Sequence, residues 1–400
     1  MKRAAFSLAL PDDLLLEILV RVKDDMAALF RCSRVCKLWH SLVANPSFLR
    51  RCWPDDTSAS IAGFFTREQR PGQGVGAPCF VPAPRSTMGR GRRALTTFVR
   101  PTGQILDHAE PLVSRHGLLL VRLPSHERGV VHLAVCDLLV GECHMLPPLK
   151  CSKIDPLPLY WSGYAILSGV DSCSHKEQPP PSNQPSSFKV VIIDLDYNLY
   201  TFSSDEGSWS TATRCFGDEA TSNYAAVYHG PAVVCRGTAH WLFYEGMMRD
   251  LCIVGMDAKT DHVSLTRIPF EIEMDDMRCH PCLTLSADGT LSLIYIEREE
   301  ARVEIWEILD ETTNWLCTRS IELKEPGKKL TQRIASLHML GERYGTMIAM
   351  GSNLRVYVVD LETETVDELI DWPKRHANRV DVVPLQMSWL TFFLTRLGSR

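Results

Sequence analysis

The stretch LPDDLLLEILVRV (10–22) sets the reading of the chain. Pro11 suits a helix start, because the N–H it lacks would find no partner there. Asp12 and Asp13 favour the positive end of the helix that follows. Leu14, Leu15, Ile18, Leu19 and Val22 then fall on one broad apolar stripe. Asp24 or Asp25 can cap a second short helix carrying Met26, Leu29 and Phe30. The continuation RCSRVCKLWHSLVANPSF (31–48) brings Val35, Cys36, Trp39, Leu42 and Val43, and Asn45-Pro46 ends a third helix. A three-helix unit this short cannot bury a sufficient core, since below about 60 residues a domain is marginal alone. Stripes so wide call for a second surface, either the rest of the chain or a partner protein.

Composition bounds the rest. The chain has 400 residues, 45% apolar and 23% charged, which are globular values that allow two or three domains. A net charge of −5 argues against a nucleic-acid footprint over the whole protein. The charge is unevenly divided: residues 1–53 carry a net +4 and the remainder −9, a small basic module joined to a larger acidic one. No apolar run approaches the roughly 18 residues of a spanning helix, and no small-residue cleavage site follows the first apolar stretch. The 14 cysteines are scattered and no N-x-S/T site occurs. Reduced thiols in a cytoplasmic or nuclear protein, with no membrane attachment, are the expectation.

Residues 53–93 read as an irregular linker, rich in Gly, Pro and Arg around PGQGVGAPCFVPAPRSTMGRGRR. Gly72, Gly74 and Gly76 resemble a phosphate loop only superficially, and Arg90–Arg93 reads as a solvated loop. From residue 94 short β-type segments recur at 94–99, 118–123, 131–136, 189–195, 225–228, 232–235, 239–244, 251–256, 263–268, 283–286 and 291–296. They continue at 303–309, 316–323, 334–339, 345–350, 354–360, 365–370 and 380–383. Asp288-Gly289 is a strong hairpin dipeptide. Four segments share the form strand, acidic turn, strand: VCDLLVGECHMLPPL, VGMDAKTDHVSLTRIPF, VVDLETETVDELIDWP and EIWEILDETTNWLCTRSIEL. An all-β stretch this long suits a propeller, with four or five blades from these strands and six or seven if some escape notice. EQPPPSNQPSS lies in a segment, near 174–188, that reads as a disordered blade loop. WLTFFLTRL near the C-terminus has apolar positions enough for a docking helix or a closing strand.

The ordered positions of LPDDLLLEILVRV…LFRCSRVCKLWHSLVANPSFLRR resemble the F-box over residues 8–52. That resemblance implies docking of the Skp adaptor of a cullin-RING ubiquitin ligase. The positions it carries over are Leu10, Pro11, Leu14, Ile18, Leu19, Val35, Cys36 and Trp39. Met26-Ala27 is smaller than the family's usual pair at the start of helix two, which implies a weaker rather than an absent contact. RGTAHWLFY (236–244), RVEIWEILDETTNW (302–315) and SRHGLLLV (114–121) are similar to strands of the F-box-associated, Kelch-like propellers of plant F-box proteins. The expected class is therefore α+β multidomain: a small three-helix F-box followed by an all-β propeller-like domain over 94–400.

Motifs for chemistry are absent. No G-x-S-x-G, H-E-x-x-H or kinase set occurs. Cys279-His280-Pro281-Cys282 has the spacing of half a zinc site, with Cys252 and His262 as conceivable completing ligands, but reads as structural thiols. His240 reads as a core or rim histidine, and Trp241, Trp306 and Trp315 as blade core. Glu271, Glu273, Asp275 and Asp276 form an acidic run suited to a basic partner. The function implied is the substrate-recognition subunit of an SCF-type ligase, non-catalytic, without metal or cofactor, holding an unidentified target protein on its propeller. Two alternatives stay open: a propeller scaffold that never joins a ligase, and a propeller-based hydrolase.

Overall fold

The computed structural model describes residues 10–398, apart from 24, 54–59, 71–73, 85, 87, 89–90, 101–102, 126, 128, 151–162, 173–186, 195–196, 216–231, 246–249, 269–280, 287–288, 298–301, 309–314, 323, 326–327, 330–333, 340–345, 352–354, 362, 370–371 and 373–381. Expected features at 225–228, in EQPPPSNQPSS up to residue 186 and in the acidic run at 271–276 fall outside the described residues.

Pro11 is the N-cap of α1 (Asp12–Arg21), with Asp12 and Asp13 in the first turn and Arg21 in the last. Asp25 caps α2 (Met26–Ser33) by accepting from the Ala28 N–H at 2.9 Å. α3 (Lys37–Val43) follows, and then a fourth helix, α4 (Pro46–Cys52), where three were expected. Asn45-Pro46 ends one helix and begins another. The Asn45 side chain accepts from the Ser47 N–H at 2.8 Å, and Pro46 takes the first helical position.

β1 (Ser60–Arg70) and β2 (Gly74–Pro82) pair along their length, with β3 (Arg93–Ala94) on the outer edge. Much of the expected linker at 53–93 is therefore sheet. Prolines misled the reading: β3 pairs only with Cys79 and Phe80, so Pro78 and Pro82 sit on an edge that needs no donor from them. Residues 94–99, expected as a strand, enter β3 and then turn through a 3-10 segment at Leu95–Thr97.

Five more blades follow. The second has β4 (Glu110–Arg115), β5 (Leu118–Leu123), β6 (Val130–Asp137) and β7 (Glu142–Met145), with β8 (Leu149–Lys150) further along β6. The third has β9 (Gly163–Ser168), a helical turn α5 (Gly169–Ser172), β10 (Phe188–Ile193), β11 (Asn198–Ser203), β12 (Ser208–Trp209) and β13 (Thr213–Arg214). The fourth is β14 (Val233–Cys235), β15 (Thr238–Glu245), β16 (Asp250–Asp257) and β17 (Val263–Arg267). The fifth is β18 (Cys282–Leu285), β19 (Leu291–Glu297), β20 (Arg302–Ile308) and β21 (Trp315–Glu322). A small hairpin, β22 (Lys324–Glu325) with β23 (Lys328–Lys329), precedes the sixth: β24 (Ile334–Met339), β25 (Thr346–Gly351), β26 (Val356–Asp360) and β27 (Thr365–Glu368). β28 (Val382–Met387) then returns to the first sheet, beside β1, and leads into α6 (Trp389–Gly398). The molecule is a short helical region followed by a six-blade all-β propeller whose first strands lie nearest one another around the ring.

The inner and middle strands of the blades are buried on both faces, so they read as continuous apolar runs, while outer strands such as β21 alternate. Along β10, Val190 and Ile192 pack toward the second blade, while Val191 and Ile193 pack toward the fourth. On β15, Trp241 and Phe243 face the third blade and Leu242 the fifth. On β1, Phe64 faces the sixth blade and Phe65 the second. Buried ion pairs also cross between blades. Arg67 on β1 lies 3.8 Å from Glu110 on β4, which also pairs with Arg122.

The acidic-turn repeat corresponds to the outermost hairpins. Asp137 accepts from the N–H groups of Leu139 and Val140 at 2.8 and 2.9 Å. Asp257 accepts from Lys259 and Thr260, and Asp360 from Thr363. Four residues beyond each aspartate the backbone turns left-handed, at Gly141 (φ 82°), Asp261 (φ 55°) and Glu364 (φ 56°). The aspartate side chain holds the turn and glycine is optional at the left-handed position.

The helical region does not stand apart from the ring. Leu19, Leu29, Val43, Phe48, Leu49 and Cys52 share one apolar core with Phe65 and Phe80 of the first blade and with Trp389, Phe393 and Leu397 of α6. Phe393 stacks on Trp53 at 5.5 Å and lies 6.4 Å from Phe30. At the other end of α6, Arg396 donates to the Leu138 carbonyl at 3.3 Å. Phe393→Ala is expected to cost about 3–5 kcal/mol, read as a lower urea midpoint, with the helical region melting ahead of the propeller.

His240, on β15 between Val233 and Gly255, is largely withdrawn from water, and burial lowers its imidazole from 6.5 to about 4. The native ring stays neutral where the unfolded chain takes up a proton. Stability is therefore full above pH 6.5 and falls as pH drops toward 4, with a loss of about 2 kcal/mol near pH 5. Denaturation of wild type and His240→Gln across that window should show this loss in the wild type only.

Candidate functional site

α1 divides its apolar residues between two faces about a quarter-turn apart. Leu15 and Leu19 point into the core, and Leu19 is fully buried. Leu10, Leu14 and Ile18, spaced by four, point outward. Past α2, Val35 lies in the connection, Cys36 is the N-cap of α3, and Leu38 opens that helix. Leu10, Leu14, Ile18, Val35 and Leu38 are between 43% and 67% exposed, and α1 packs against α3. An exposed set of large apolar side chains on so small a module is the feature that calls for a function.

Of the eight positions read from sequence, Leu10, Pro11, Leu14, Ile18, Val35 and Cys36 lie on this surface. Trp39 is half-buried and packs against the shared core. Leu19 is a correction. It lies one residue past Ile18, which rotates it about 100° into the core, where it touches no outside surface. Leu38 was missed; its signal was its place three residues after Val35. Met26 is buried, so this residue at the start of α2 belongs to the core rather than to the exposed set. In the same helical region, Arg21, Arg31, Arg34, Lys37 and Arg50 are all exposed. Glu17 and Arg51 pair at 2.5 Å between α1 and α4, an exposed contact that solvent screens.

The propeller contains one group of residue types that invites a catalytic reading. Ser168 Oγ lies 3.0 Å from His116 Nδ1 and 3.0 Å from Asp171 Oδ2. The order is wrong for nucleophilic catalysis, which needs the imidazole between hydroxyl and carboxylate. Ser168 is buried, and Asp171 is committed to a bidentate pair with Arg115 and to the Ser168 N–H at 2.8 Å. Burial raises the Asp171 carboxyl, but the hydrogen bonds and charge of Arg115 outweigh it and the group titrates below its ordinary range. The cluster joins β4 to α5, and so the second blade to the third.

Of the zinc-like motif, Cys279 and His280 lie outside the described residues, while Cys282 starts β18. Among the described residues no three His, Cys, Asp or Glu side chains come close enough to hold a metal ion, and no helix is long and apolar enough to cross a membrane. Trp241 and Trp315 are buried and Trp306 half-buried in their blades, as read from sequence.

Comparison with known proteins places this geometry. An F-box-like family model matches residues 7–53, the helical region that carries the exposed surface. A second model, described as a domain of unknown function (DUF7595), matches residues 85–387, and the chain belongs to that family. That match leaves out β1 and β2, although they complete its first blade. No curated protein matches the chain.

Among solved structures, the chain is similar to an alpha-L-arabinanase of Penicillium chrysogenum complexed with arabinobiose. That likeness has 13% identity and a TM-score of 0.41, over 70% of this chain and 86% of the other. It is also similar to a Lactobacillus plantarum protein, at 12% identity and a TM-score of 0.39, over 81% and 99%. A third likeness is to the Cps50 (Swd1) β-propeller domain of Myceliophteria thermophila, at 8% and 0.38, over 69% and 90%. Likenesses this distant carry no argument about activity.

The two neighbours Ile18 and Leu19 should separate surface from core. Leu19→Ala is expected to cost about 2–5 kcal/mol, and Ile18→Asp to change stability by less than about 0.5 kcal/mol, both read by urea denaturation.

Proposed function

We propose that this chain is the substrate-recognition subunit of an SCF-type ubiquitin ligase. Its F-box-like helices would bury their exposed apolar residues against a Skp-type adaptor, and through it join a cullin and a RING protein. Its propeller would hold a target protein for ubiquitination. The observation that carries this reading is the outward set Leu10, Leu14, Ile18, Val35 and Leu38 on a module that already has a core of its own, shared with the ring. Such residues have no structural duty left to explain them.

The role is non-catalytic. In ubiquitin transfer the chain itself makes and breaks no bond; the rate gain comes from holding a target lysine near the ubiquitin-loaded enzyme, an effective-concentration effect. Topology favours one side of the ring for the target. β28 ends and β1 begins at the same edge of the first sheet, so α6 and the F-box-like helices share one side of the ring. The connections from each blade to the next cross the other side, and loops carried on a rigid scaffold are where recognition residues concentrate.

The test is retention of a Skp-type adaptor by the intact chain and by an Ile18→Asp, Val35→Asp double variant, each checked for folding by circular dichroism. Losing one central apolar contact of about 2 kcal/mol weakens binding about thirtyfold, so the variant should lose the adaptor while remaining folded. No retention by the folded wild type would overturn the proposal and leave the helices as a cap on an interaction scaffold.

A further inference from the structure

Cys136 on β6 and Cys143 on β7 face each other directly across the outer hairpin of the second blade. Their sulfurs are 3.4 Å apart, and both are free thiols. Directly opposed residues in an antiparallel pair have Cα atoms about 4.5–5.5 Å apart, within the 4.4–6.8 Å span that a disulfide bridges. That spacing suits a covalent link between the two. The two cysteines differ in access: Cys136 is fully buried, while Cys143, on the outer strand, is only partly buried. They also differ in character. The hydrogen bond from Cys136 lowers the Cys143 thiol, against burial, while that bond and burial raise Cys136. The difference in access is the one expected of an attacking and a resolving thiol.

We infer that Cys136 and Cys143 form a thiol-disulfide exchange site that takes a small-molecule disulfide as oxidant. The Cys143 thiolate attacks one sulfur of the reagent, its S–S bond breaks, and the first thiolate leaves. The Cys136 thiol then loses its proton and attacks the Cys143 sulfur of the mixed disulfide, and the second thiolate leaves. Two protein thiols are oxidised to one disulfide, and one reagent disulfide is reduced to two thiols. The site sits where it could be felt elsewhere. The turn of the same hairpin supplies the Leu138 carbonyl that accepts from Arg396 of α6, and the Arg100 N–H donates to Gly141 at 2.8 Å.

The experiment treats the intact, reduced chain with glutathione disulfide, then alkylates and digests with trypsin. Cleavage after Arg128 and Lys150 leaves both cysteines in one peptide, 129–150. The expected product is that peptide lighter by two hydrogens and without either alkyl group, restored to double alkylation by a reducing dithiol. Exposed Cys36 is the internal control for reagent action, since it should be glutathionylated. Cys143→Ser, at the more accessible position, should fold normally and leave Cys136 alkylatable. Two results overturn the inference: a doubly alkylated 129–150 peptide while Cys36 is modified, or glutathione retained on Cys143 without transfer to Cys136.

Discussion

A propeller has two exposed sheet edges until its last strand meets its first, and unpaired edges are both unstable and prone to aggregation. Here the ring closes by pairing β28 with β1, from Ser60 opposite Met387 to Thr66 opposite Val382. The closure joins residues more than 300 positions apart, so it carries a loop-closure cost that the hairpins within a blade do not. It also decides where everything else goes. β28 delivers α6 to the edge at which the chain leaves the helical region, and Phe393 then fills the space beside Trp53 and Phe30. Without that pairing, α6 and the helices would be two small apolar surfaces with nothing to bury against.

The helical region resolves its own shortage of core in two directions. Inward, Leu19, Leu29, Val43 and Leu49 merge with the first blade and α6, which makes a marginal four-helix unit part of a larger core. Outward, Leu10, Leu14, Ile18 and Val35 remain in water. A helix with one buried face and a second apolar face left over is costly in solubility, and the same module also exposes arginines and a lysine. Such charges keep the apolar surface dispersed until a complementary surface covers it.

Much of this was legible, for identifiable reasons. The blades announce themselves because strands buried on both faces leave runs such as HWLFY and VVII, and because Asp137, Asp257 and Asp360 mark the outer turns with the same side-chain hydrogen bond. What failed to show was where one signal does two jobs. Asn45-Pro46 stops α3 and starts α4, and a reading that allows one meaning per signal loses a helix. Gly and Pro between 71 and 84 mark a loop in most contexts, but β2 is paired by β3 over only two residues and can hold Pro78 and Pro82 in strand. Ile18 and Leu19 belong to one sequence stripe, and only the packed core tells which of the two faces out. The blade count was open because short strands such as β9 and β11 were not among the segments read as strands.

For a subunit that works by proximity alone, stiffness is a functional quantity. Effective concentration falls steeply when a tether lengthens or flexes. A ball-and-chain arrangement, with the helices joined to the ring only through 54–59, would spread a bound target over a wide volume. The structure instead gives the helices contacts on both sides of the ring closure: α4 packs on α6, Phe393 stacks on Trp53, and Arg396 fixes the far end of α6 to the second blade at Leu138. Each contact removes a direction in which the module could swing. The apolar core therefore does more than stabilise a short helical unit: it converts two domains into one body with a defined orientation. In the receptor reading, that orientation is the property through which a chain that takes no part in the transfer chemistry sets its rate.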